Sequence, residues 1–133
     1  MLRIMAATIL AAVFSVAAQN EPEFKMTMYQ VAFLKRGPAW TSEVTAETTK
    51  IQAGHMANIS AMAKSGKLIL AGPFEEQGDL RGMFVFKATA EEARQLAAQD
   101  PAVQAGRLVL EWHSWYSAEG ITIVPGKSPP QKP

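Results

Sequence analysis

Histidine is the side chain whose ordinary pKa lies nearest neutrality, and this chain has two. One of them sits where a helix should be apolar. From Val44 onward, apolar or small residues recur as Val44, Thr48, Ile51, His55, Ile59 and Met62. That is the spacing of a helix stripe packed on a core, and His55 falls in its middle. An imidazole buried there without a partner costs about 1–3 kcal/mol, so the chain must bring it one from elsewhere. With one ring nitrogen engaged, the other is free to take or give a proton, which is general acid/base chemistry. A histidine merely satisfied in the core is the alternative, and nothing beside it in the sequence decides between the two.

The other chemistry-bearing residues exclude more than they offer. There is no cysteine, which removes thiol catalysis, thiolate metal sites, disulfides and a lipoprotein attachment. Glu111 and His113 alternate onto one strand face, but two side chains are too few for a metal site, so neither a metal nor any other cofactor is expected. Trp40, in the loop Gly37–Ser42, either covers a site as a lid or anchors the loop. Lys35-Arg36 either draws an anionic substrate or is a solvated strand end. There is no Gly-rich phosphate loop, no G-x-S-x-G and no H-E-x-x-H. The formal charge is only +1 and the basic residues are scattered, so nucleic acid is not an expected partner.

These residues must be positioned by a small domain. The chain has 133 residues, 48% hydrophobic and 19% charged, the composition of one globular unit with appendages. Residues 1–18 read as a signal peptide: Arg3, an uncharged run from Ile4 to Ala18, and small residues at Ser15-Val16-Ala17-Ala18. The run is shorter than the roughly 20 residues a spanning helix needs, so export with cleavage after Ala17 or Ala18 is expected, to the periplasm or outside the cell. No stable membrane anchor remains after that cleavage. Residues 19–25 are a polar lead-in, residues 26–117 the folded domain, and residues 118–133 a Pro-rich tail without a fold of its own.

Within the domain, Met28–Leu34 is a predicted strand stopped by Gly37-Pro38. Thr41 or Ser42 caps a helix carrying the His55 stripe to about Ser65, and Gly66 supplies its left-handed stop. Leu68–Ala71 is a short strand closed by Gly72-Pro73; Arg81–Lys87 is a third, after a polar loop. Thr89 and Glu92 form a capping box for a second helix, with Ala93, Leu96 and Ala97 inward. Asp100 caps a short turn with Pro101 in its first position, and Gly106 ends it. Leu108–Tyr116 is the fourth strand, with Leu108, Leu110 and Trp112 on one face and Val109, Glu111, His113 and Trp115 on the other. The order β-α-β-β-α-β is ferredoxin-like α+β: a four-stranded antiparallel sheet with two helices on one face. Its second face also carries apolar side chains, Val85 and Trp112 being candidates for the centre of an interface, and a second copy of the chain is the simplest cover.

Three strings carry a family resemblance: Gly54-His55-Met56-Ala57, Ser65 to Pro73 (containing G-x-L-x-x-A-G-P), and Asp100-Pro101-Ala102-Val103-Gln104-Ala105-Gly106. In this order they resemble the YciI-like (YCII-related) family over about Thr27 to Tyr116. The resemblance implies a homodimeric α+β barrel, two ferredoxin-like units with their sheets face to face. It also implies an active site built from a histidine and an aspartate, here His55 and Asp100, acting on a small-molecule ligand. The chain departs from the usual pattern at Ala53-Gly54, where arginine or proline is common, and at Ala102, where an aromatic is common. An aspartate bonded to Nδ1 would fix the tautomer and leave the other nitrogen to move a proton in an isomerisation or elimination. Read from the residues alone, Asp100 is equally a helix cap, and a His–Asp pair equally a structural clip in a non-catalytic binding or accessory protein.

Overall fold

The computed structural model describes residues 25–120. Seven elements follow in order: β1 (Met26–Arg36), α1 (Ala46–Lys64), β2 (Leu68–Pro73), β3 (Leu80–Phe86), α2 (Ala90–Ala98), α3 (Pro101–Gln104) and β4 (Leu108–Ala118). The four strands form one sheet in the order β2-β3-β1-β4, every neighbour antiparallel. This is the ferredoxin-like α+β arrangement. The signal-peptide segment, most of the lead-in and the proline-rich end of the tail lie outside the described residues.

The sheet buries apolar side chains on both faces. On the helix-bearing face, Ala32, Leu34, Phe84, Phe86 and Leu108 meet Met62 of α1, Ala93 and Ala97 of α2 and Ala102 of α3. On the other face, Tyr29, Val31 and Val85 form a smaller cluster with Phe33, Ile69 and Met83. Trp112 belongs to the first face, not the second: its ring lies 5.9 Å from that of Phe86, with the Arg94 guanidinium 5.1 Å above it. Strand alternation fixes this, because Trp112 pairs with Ala32, whose side chain is buried under the helices.

Two local expectations are corrected. Helix α1 starts one turn later than Thr41 or Ser42 would set it. Thr45 and Thr48 cap it reciprocally, with Thr48 N donating to Thr45 Oγ1 at 3.1 Å and Thr45 N to Thr48 Oγ1 at 2.8 Å. Val44 therefore lies outside the helix and is 90% exposed, while Ile51, His55, Ile59 and Met62 do form the inward stripe. The segment before the cap is tied to the turn preceding β4 instead. Gly37 N donates to Arg107 O and Ala39 N to Gly106 O, and a Cβ on Gly37 would sit 2.2 Å from Gly106 O. The second correction is that Gly72-Pro73 does not close β2 but continues it, paired with Met83 and Gly82. β2 is an edge strand, where a missing N–H costs no ladder bond.

Left-handed backbone occurs at Gly66 (φ +76°) and Gly106 (φ +70°), the two positions where the sequence places a helix stop. The fourth strand runs on to Ala118, two residues past Tyr116, and Glu119 N donates to Lys25 O beyond it.

Candidate functional site

Helix α1 presents His55 toward the sheet, its ring stacked on Phe84 at 6.2 Å between centroids. The extended backbone of Asp100, imposed by the proline that follows, aims its side chain back over α3. One carboxylate oxygen, Oδ1, accepts from Ala102 N at 2.8 Å and caps α3. The other, Oδ2, lies 2.6 Å from His55 Nδ1. The aspartate is fully buried and the histidine side chain keeps 11% of its surface accessible. Cap and pairing partner are thus the same residue: both readings of Asp100 describe it.

Close approach of α3 to α1 depends on the glycine before His55. A Cβ at Gly54 would lie 2.8 Å from Pro101 Cγ, so the proline ring occupies the space a side chain would need. Burial works against the charge of Asp100. It is outweighed by the hydrogen bond and charge of His55, the Ala102 N–H and the side chain of Asn58, and the carboxyl is held below its ordinary pKa. Asp100 is thus an anion at neutral pH, an acceptor for Nδ1–H. Nε2 then has no hydrogen-bonding partner among the described residues.

His55 opens onto a cavity of about 360 Å³ with a mainly apolar wall that includes Leu34, Ile59 and Phe84. The pair is therefore not sealed. Trp40 lines the same cavity, and so do Arg81 and Arg107. The guanidinium carbons of Arg36, Arg81 and Arg107 lie 5.3, 5.1 and 5.3 Å from the Trp40 ring centroid. Glu111 and His113 are elsewhere, on the opposite sheet face. There His113 Nε2 stands 3.0 Å from Glu111 Oε1, and Lys35 pairs with the same glutamate. The two basic residues of Lys35-Arg36 thus part company, one to each face.

Arg81 and Arg107 were not legible as site residues. Alternation along Met83-Phe84-Val85-Phe86 assigns Arg81 to the face away from the helices. The pairing of β1 with β3 skips it, with Leu34 opposite Gly82 but Lys35 opposite Leu80. This bulge re-aims Arg81 into the cavity. A signal does exist in the topology: in this antiparallel order, the end of β1 and the starts of β3 and β4 meet at one end of the sheet. Arg36, Arg81 and Arg107 stand at those three positions.

Comparison with known families settles what kind of chain this is. The pattern of the YCII-related domain matches residues 28–128, from the third residue of β1 to beyond the last strand. The chain belongs to that family. His55 and Asp100, brought together here, both fall within the matched residues. No curated protein matches the chain. Among solved structures it is similar to 5-chloro-2-hydroxyhydroquinone dehydrochlorinase from Burkholderia phenoliruptrix AC1100, solved in complex with 2,5-dihydroxybenzoquinone. The identity is 19% and the TM-score 0.46, over 67% of this chain and 93% of that one.

Proposed function

We propose that this protein is a small enzyme that moves a proton on a small organic molecule, with His55 as general acid/base and Asp100 as its orienter. The observation that carries the reading is the division of labour on one imidazole. Nδ1 is held by a buried carboxylate, while the ring lines a cavity large enough for a ligand. In the forward step Nε2 takes a proton from a carbon next to a carbonyl; the C–H electron pair forms a C=C bond and the C=O π pair moves onto oxygen, giving an enolate. The imidazolium formed is stabilised by Asp100. Returning the proton to a different carbon gives isomerisation; loss of a leaving group from the adjacent carbon gives elimination.

The contacts also hold α1 to α3, which is all that a structural clip would require. A clip does not need the cavity, and that feature favours the enzyme. The test is deuterium incorporation in D₂O, followed by proton NMR over a panel of small enolisable acids and lactones. Incorporation by the wild type, lost in His55→Gln and Asp100→Asn that remain folded, supports the reading. Incorporation no faster than buffer across the panel, or unchanged in both variants, speaks for the clip.

The active unit in this reading is a homodimer, covered on the sheet face that carries Tyr29, Val31, Val85 and the half-exposed Trp115. Val109 and Trp115, apolar and exposed on that face, support it. The reading also includes export, supported by the charge and hydropathy pattern of residues 1–18. A mature protein beginning at Ala18 or Gln19, by mass spectrometry from the native host, is the result expected.

A further inference from the structure

Resting on that reading, we infer that the substrate is a small organic anion whose charged group, a carboxylate, is held by Arg81 and Arg107 at the end of the cavity beside Trp40. Three guanidinium groups crowd one indole, within roughly a Debye length of one another. Among the described residues none of the three has a carboxylate within salt-bridge distance, although Lys25, Lys35, Lys67 and Lys87 each have one. The ring faces attract the cations, but the cations repel each other, and among the described residues no carboxylate pairs with any of them.

The two arginines that line the cavity are held in place without being used up. Arg107 Nη2 donates to Thr41 O at 3.1 Å, and Arg81 Nη1 to Glu76 O at 3.2 Å. The remaining N–H groups have no carboxylate to serve, and Arg81 Nε is buried with no hydrogen-bond partner at all among the described residues. A buried donor left without a partner is costly, and a bound carboxylate is the group whose two oxygens fit a guanidinium fork. The β3 bulge adds the third argument. Regular alternation would send Arg81 to the other face, so its presence here depends on a local break in the ladder. The rest of the wall is apolar, with Phe84 and Ile59. A planar or cyclic body bearing one carboxylate matches both ends, with its acidic carbon toward His55.

Benzoate and its neutral isostere benzamide are the probes, titrated against the full chain by calorimetry and by NMR shifts of the Trp40 indole. Benzoate should bind the wild type at millimolar concentrations or below, about tenfold more tightly than benzamide. Arg81→Met and Arg107→Met should each lose about an order of magnitude in benzoate affinity and leave benzamide unaffected. Because Arg107 also anchors Thr41, Arg81→Gln is the second variant, and it should behave as Arg81→Met does. Equal binding of the two probes, benzoate binding indifferent to Arg81, or no benzoate binding in the wild type would each overturn the inference. Deuterium incorporation that survives such a failure leaves the proton-transfer reading standing. Anion selectivity without any incorporation does the reverse.

Discussion

Pro101 packs where a side chain on Gly54 would be, 2.8 Å from the position of its Cβ. The two residues are the immediate neighbours of Asp100 and His55, so this contact sets how closely the pair can meet. In an exposed helix, Gly→Ala gains about 1 kcal/mol. Here the added methyl must displace a rigid ring, an overpacking that costs about 1–3 kcal/mol. Gly54→Ala should therefore be net destabilising in urea unfolding, and should weaken proton transfer. A stabilised Gly54→Ala would show that the helices have room to spare.

Asp100 holds α3 with one oxygen and His55 with the other, so its variants should rank. Asp100→Asn keeps a good helix cap but loses the charge-assisted bond, about 1.5–3 kcal/mol. Asp100→Ala loses the cap as well, a further 0.5–2 kcal/mol or so. Unfolding midpoints should fall in the order wild type, Asn, Ala. Equal midpoints for the two variants would mean that the Ala102 bond contributes nothing.

The same residue gives a dependence on pH. Its folded-state pKa lies below the ordinary 3.8, so the fold favours the charged form. That stabilisation is complete above the ordinary value and is lost as pH falls through the lower, folded-state value. Between about pH 5 and pH 2 the wild type should lose stability more steeply than Asp100→Asn. Parallel curves for the two proteins would remove Asp100 from the acid transition.

Much of this was written locally in the chain. The His55 stripe from Ile51 onward, the Thr89/Glu92 box, the Asp100-Pro101 cap and the two glycine stops are signals spanning a few residues, and each formed as its chemistry requires. Val44 fell before the helix and Thr48 in its capping box. The strand content of Gly72-Pro73 was hidden because a proline forbids pairing only where its N–H is needed, and that depends on β2 lying at an edge. Trp112 was misplaced as an interface residue although its alternation was right, since alternation groups residues without naming the face that meets the helices. The arginine cluster was least legible. Its members are far apart in sequence, and one of them reaches the site only through a bulge.

Assembly has a clean probe in Trp115, which is 44% exposed and lies against Tyr29 on the face away from the helices. Trp115→Lys should yield monomers by light scattering at micromolar concentration, with helical content retained. Trp112→Ala, on the other face, should lower the melting temperature and leave assembly intact. A monomeric wild type would refute the dimer.

Whether His55 is a working base or a buried clip is tested most directly by the reactivity of its free nitrogen. Native protein treated with diethyl pyrocarbonate at mildly alkaline pH, digested and mapped by mass spectrometry, reports each histidine separately. His113, 53% exposed but engaged by Glu111, is the internal comparison. The account requires His55 to be modified in the folded protein, and benzoate in the cavity to protect it. Modification of His113 with His55 untouched until the protein unfolds would contradict it.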